Sequence, residues 1–109
     1  MRRARIFFRD EEAGILTQDD DGTFTFRYHD EWATNSSKPA ISLTFPKSRR
    51  IFQSPYLFPF FFHMLPEGDN KQLICRLMRI DPVDHFGLLM TTANTDPVGA
   101  VKVVKMEDN

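Results

Sequence analysis

Residues 23–28 read Thr23-Phe24-Thr25-Phe26-Arg27-Tyr28, a strict alternation of polar and aromatic side chains that follows the turn-forming run Asp19-Asp20-Asp21-Gly22. Successive strand side chains point to opposite faces of a sheet. This period of two therefore puts Phe24, Phe26 and Tyr28 on a core and Thr23, Thr25 and Arg27 toward solvent. A strand so one-sided needs partners. The apolar-rich run Arg5 to Arg9 and the run Glu12 to Thr17 supply a β-hairpin before it, and Ile41-Ser42-Leu43-Thr44-Phe45, stopped by Pro46, alternates again as a fourth strand. The β-branched run Val98 to Lys105 reads as a strand returning to the sheet.

Helical signals fill the space between. Ser54-Pro55 reads as an N-cap with proline at the first helical position, opening a helix over Tyr56 to Leu65 that Pro66-Glu67-Gly68 breaks. Asp69 caps a second helix, Lys71 to Arg79, with Leu73, Ile74, Leu77 and Ile80 at helical spacing. Asp84 caps a third over the segment to Thr92, and Asn94 to Pro97 is a loop. The expectation is one α+β domain over residues 1–109: a small antiparallel or mixed sheet with two to three short helices.

Composition narrows what such a domain does. Fourteen basic against fifteen acidic residues leave a net charge of -1, so no overall field gathers phosphate backbones or anionic lipid. The basic groups Arg2, Arg3, Arg5 and Lys47 to Arg50 read as solvated faces, and direct nucleic-acid binding is not expected. The most apolar stretch, Tyr56 to Leu65, carries Pro59 and is about half the length needed to span a bilayer. With one cysteine, Cys75, no intramolecular disulfide forms, and the N-terminus lacks a secretory apolar core; both fit a reducing, cytoplasmic setting. Eleven phenylalanines exceed what a core of this size usually takes, which points some of them at an interface.

Catalytic and metal patterns are missing from the sequence. It has no phosphate-binding glycine run, no paired cysteines and no HExxH spacing, and His29, His63 and His85 stand in unrelated contexts. His29-Asp30-Glu31 reads as a solvated turn after a strand, and Cys75, among Leu73, Ile74 and Leu77, as a buried inert thiol. No cofactor and no enzymatic activity are expected. Phe58, Phe60, Phe61 and Phe62 cannot share one helix face, so some must meet a second surface, in the domain or on a partner.

Five blocks in order carry a family resemblance: Tyr28-His29-Asp30-Glu31-Trp32, Pro39 to Pro46, Phe61-Phe62-His63-Met64-Leu65-Pro66-Glu67-Gly68, Asp84 to Leu89 and Val98-Gly99-Ala100-Val101. Together they resemble the N-terminal domain of the HipA family of serine/threonine kinases over about residues 12 to 104. One departure is Asn94, where the family usually has glycine; asparagine also tolerates left-handed geometry. Trp32, Pro66, Gly68, Asp84 and Gly99 then act as fold determinants, with Trp32 a buried anchor and Gly68 at a helix C-terminus needing positive φ.

The resemblance also implies a role. The family's phosphate loop, catalytic aspartate and metal ligands lie in a kinase body that follows this domain. Free-standing copies are similar to HipS, the antitoxin of tripartite systems in which the HipT kinase lacks the domain and a HipB-like protein binds DNA. The Met1 start and short polar tail fit a complete gene product of that kind. The implied partners are a HipT-like kinase and, in a ternary complex, a HipB-like DNA-binding protein. The expected contact residues are Arg49 and Arg50 with exposed members of the aromatic run, Phe58, Phe60 and Phe61. The alternative is an activating or structural subunit, or an excised domain, of a HipA-type kinase.

Overall fold

The structure, a computed structural model, describes residues 1–93 and 100–106. The hairpin pairs β1 (Arg2–Phe8) with β2 (Glu11–Gln18) across a two-residue turn in which Arg9 and Asp10 both take positive φ, 49° and 68°. Such a turn matches the twist of its strands but normally demands glycine or asparagine. Here tertiary contacts hold it instead. The Arg9 amide donates to the Ala100 carbonyl at 2.9 Å, and Lys102 pairs with Asp10 at 2.6 Å. A bulge at Ala13 breaks the register between Ile6 and Phe7, and the Ala13 carbonyl accepts from the His29 amide at 2.9 Å.

β3 (Phe24–Tyr28) follows the Asp19–Gly22 turn, and its inner residues Phe24, Phe26 and Tyr28 are buried as the alternation requires. Among the described residues the sheet has five strands in the order β4-β3-β2-β1-β5, antiparallel throughout, with β4 (Ile51–Ser54) and β5 (Val101–Lys105) at its edges. Two cross-strand rows line the inner face: Phe52, Phe26, Leu16 and Ala4, then Tyr28, Gly14, Ile6 and Val103. Gly14 is obligatory in its row because a Cβ there would lie 2.2 Å from the Arg27 carbonyl oxygen.

Four short helices complete the described residues: α1 (Asp30–Thr34), α2 (Pro59–Phe62), α3 (Gly68–Met78) and α4 (His85–Thr92). α4 is the one most firmly seated, burying Phe86, Leu88, Leu89 and Met90 against the sheet. Its cap, Asp84, accepts from the Gly87 amide at 3.1 Å and from both terminal guanidinium nitrogens of Arg2, at 2.6 and 3.0 Å. One half-buried carboxylate thus ends a helix and ties it to β1. The Arg2 hydrogen bonds, ahead of all other causes, hold the Asp84 carboxyl below the ordinary carboxylate value of 3.8.

Several sequence expectations are corrected. Ile41–Phe45 is not a strand: the Phe45 amide turns back to the Ser42 carbonyl at 3.0 Å, while Tyr28 Oη donates to the Phe45 carbonyl at 2.6 Å and accepts from the Ile41 amide at 3.0 Å. Ile41 and Phe45 enter the core from a looped chain, while Leu43, which the alternation would bury beside them, is exposed. The fourth strand lies later, at β4. The helix expected over Tyr56 to Leu65 shrinks to α2, with Pro59 at its first turn and Phe58 as N-cap; Ser54 belongs to β4, and its hydroxyl accepts from the Tyr56 amide at 3.1 Å. Gly68 does have positive φ, 59°, but it opens α3 rather than closing a helix, and Glu67, not Asp69, is the N-cap. α1, which carries Trp32, went unanticipated. The Asn94 to Pro97 loop, Gly99 and the tail from Glu107 lie outside the described residues.

Candidate partner-binding surface

The aromatic surplus resolves first into a core. Phe45 stacks its ring among Phe26 (centroids 4.9 Å), Phe52 (5.0 Å), Phe58 (5.2 Å) and Phe61 (5.7 Å). Each fully buried phenylalanine contributes about 1.5–3 kcal/mol by leaving water, and edge-on pairs add about 0.5–1.5 kcal/mol. Phe58 and Phe61 are therefore core residues, 9% and 0% exposed, and are corrected as contact candidates; Phe60 is half-buried against Phe61. The exposed member of the run is Phe62, which lies edge-on to His85 at 5.2 Å.

Arg49 and Arg50 are both exposed, in the connection that leads into β4. Arg50 pairs with Asp30 of α1 at 2.8 Å. Arg49 folds back over the start of β4: its Nε donates to the Ile51 carbonyl at 2.9 Å and its guanidinium sits 5.3 Å from the Phe52 ring centroid. Among the described residues it has no carboxylate partner. Beside it a small cleft of about 130 Å³ is lined by Phe45, Arg49, Phe52, Phe58 and Pro59 with Thr44 and Gln53. Leu43, Ile51 and Tyr56, close to these residues in the sequence, are large apolar side chains exposed to water. These three were not singled out in the sequence, since Leu43 and Tyr56 fell inside elements expected to be regular.

A second exposed apolar group is on α3. Leu73, Leu77 and Met78 are exposed, as is Val83 just beyond, and Cys75 is the fully buried residue of the helix. Of the four residues at helical spacing, Leu73 and Leu77 face solvent, while Ile74 and Ile80 pack partly on the core.

A cleft of about 580 Å³ runs between Glu11, Glu12, His29, Glu31, Trp32 and Lys38. His29 Nε2 meets a Glu12 carboxylate oxygen at 2.5 Å, and the Trp32 indole donates to the Pro39 carbonyl at 2.9 Å. A histidine beside a carboxylate is a base and its orienter, but no serine, threonine or cysteine lines the cleft to be activated. Trp32 is the buried anchor foreseen, wedged edge-on against Phe8 at 6.0 Å. Pro66 and Gly68 sit at the α2–α3 junction, and Asp84 at the α4 cap. Among the described residues no three of His, Cys, Asp and Glu converge to hold a metal ion, and no helix is long and apolar enough to cross a membrane.

The family model for the HipA N-terminal domain matches residues 4–104. The chain belongs to the HipA N-terminal domain family. A solved structure described as the N-terminal domain of HipA toxin superposes on all of this HipA N-terminal domain and 96% of its own chain, with a TM-score of 0.73 at 30% identity. An uncharacterized protein of Haemophilus influenzae is 32% identical over 103 residues, covering 94% of this chain and 92% of that one. The putative kinase Y4mE of Sinorhizobium fredii is 25% identical over 104 residues, which are 95% of this chain but 24% of the kinase.

Proposed function

We propose that this HipA N-terminal domain is an antitoxin: it binds a HipT-like serine/threonine kinase that lacks its own copy of the domain and holds that kinase inactive. The observation that carries the reading is that the HipA N-terminal domain family matches residues 4–104. What such a domain contributes to a kinase system it contributes by contact. A relative covered over 92% of its length supports a domain that works apart from a kinase body. In this reading the domain takes the place that the kinase relative fills within its own chain, docking through Arg49, Arg50 and the exposed aromatic and aliphatic side chains around them. The complex is cytoplasmic, and a HipB-like DNA-binding protein completes it.

The match to a quarter of a putative kinase favours one other reading, an activating or structural subunit of a HipA-type kinase or a domain excised from one. Co-expression separates the two. Growth arrest by the kinase should be relieved when this chain is expressed with it; arrest that deepens, or that needs this chain to appear, would assign the subunit role.

A further inference from the structure

We infer that the open edge of β4 accepts an extended, acidic segment of a protein partner as an added strand. The ladder geometry decides which backbone groups are available. The Tyr28 amide donates to the Arg50 carbonyl at 2.9 Å, so Phe26 with Phe52 and Phe24 with Ser54 are the hydrogen-bonded pairs of this antiparallel ladder. Ile51 and Gln53 occupy the alternate positions and turn their N–H and C=O groups away from β3. Of these the Ile51 carbonyl is occupied by Arg49 Nε. Among the described residues the Ile51 amide and both backbone groups of Gln53 have no protein partner. The other edge of the sheet is not comparable, because the Val103 amide of β5 donates to the Ala93 carbonyl behind α4 at 2.8 Å.

Backbone groups alone are an incomplete argument, since a short edge strand can simply be solvated. Side chains supply the rest. The cleft of about 130 Å³ between Phe45, Phe52 and Phe58 adjoins the edge. It is far smaller than the roughly 300 Å³ and upward of small-molecule sites, and of a size for one apolar side chain of an added strand. Lys47, Arg49 and Arg50 lead into β4; Lys47 spends its ammonium on the Asn35 and Lys38 carbonyls, Arg50 pairs with Asp30, and among the described residues Arg49 has no carboxylate partner. A second copy of the chain paired edge to edge would bring Ile51-Phe52-Gln53-Ser54, which holds no acidic residue to answer Arg49. The occupant that fits is a segment alternating apolar and acidic side chains, which matches the docking role proposed above but does not depend on the partner being a kinase.

The test is a titration of the isotopically labelled full chain with the acetylated and amidated peptide Thr-Val-Asp-Leu-Thr-Val, and with its twin carrying Lys for Asp. Binding of the acidic peptide should slow hydrogen exchange of the Ile51 and Gln53 amides by about ten-fold or more and should be about ten-fold tighter than that of the lysine twin. Gln53→Pro removes an outward amide without touching the ladder and should abolish the protection at Ile51. Arg49→Glu, which leaves the strand intact, should reverse the preference between the two peptides. No binding at millimolar peptide, protection confined to other segments, equal binding of the lysine twin by the parent chain, or dimerisation through β4 in the absence of peptide would each overturn the inference.

Discussion

At the scale of single residues, two polar side chains hold otherwise apolar layers in place. Tyr28 is fully buried, and its hydroxyl both donates to the Phe45 carbonyl and accepts from the Ile41 amide, closing the backbone of the looped segment that fills the core. Tyr28→Phe leaves both groups unpaired, and urea denaturation should read a loss of about 2 kcal/mol or more. Burial raises the Tyr28 phenol above its ordinary 10.0, outweighing the Ile41 amide. Its stabilising contribution is therefore full below pH 10 and is lost as pH rises through the folded value. Asp84 works in the opposite sense. Its carboxyl is held below 3.8 mainly by the Arg2 hydrogen bonds, so its contribution is full above that value and is lost as pH falls through the lower folded one. Asp84→Ala should cost about 1–2 kcal/mol at neutral pH, and Asp84→Asn, which still caps α4, less; in both, stability measured between pH 5 and 2 should fall less steeply than in the parent.

At the scale of elements, β3 was readable because three aromatics at every second position face one core. The segment Ile41–Phe45 shows the limit of that rule. In a strand Leu43 would join Ile41 and Phe45 on the inner face; the turn from Ser42 to Phe45 leaves Leu43 exposed instead, and the Tyr28 hydroxyl holds the looped backbone at both ends. β4 was missed because four residues with one buried side chain, Phe52, make too short a pattern to register. α3 failed in a different way: its apolar spacing was seen, but spacing says only that residues share a face, not that the face is covered. Hence Leu77→Lys, at an exposed position, should change the unfolding free energy by no more than about 0.5 kcal/mol. Phe61→Ala in α2, fully buried, should cost about 3–5 kcal/mol in the same experiment. The contact candidates divide along the same line. Charge pointed correctly to Arg49 and Arg50 as exposed, whereas the side of a four-residue helix on which each phenylalanine falls depends on where Pro59 starts it, a boundary fixed by packing.

At the scale of the whole molecule, an antiparallel sheet carries its helices and its looped aromatic plug over one core, while cations, a free strand edge and aliphatic side chains remain outside it. The family membership was legible because the blocks that carry it are turn, cap and anchor residues, fixed by backbone geometry and therefore visible as spaced motifs. A binding surface has no such periodic signature, since its residues are assembled from β4, the connection before it and the segment after it. The central claim, that this domain acts on a kinase by contact, is tested most directly by titrating the purified chain into the HipT-like kinase of the same source and following autophosphorylation. The account predicts a fall of about ten-fold or more at saturation, recovered on removing the chain. A kinase whose rate is unchanged at saturation, or raised, would contradict it.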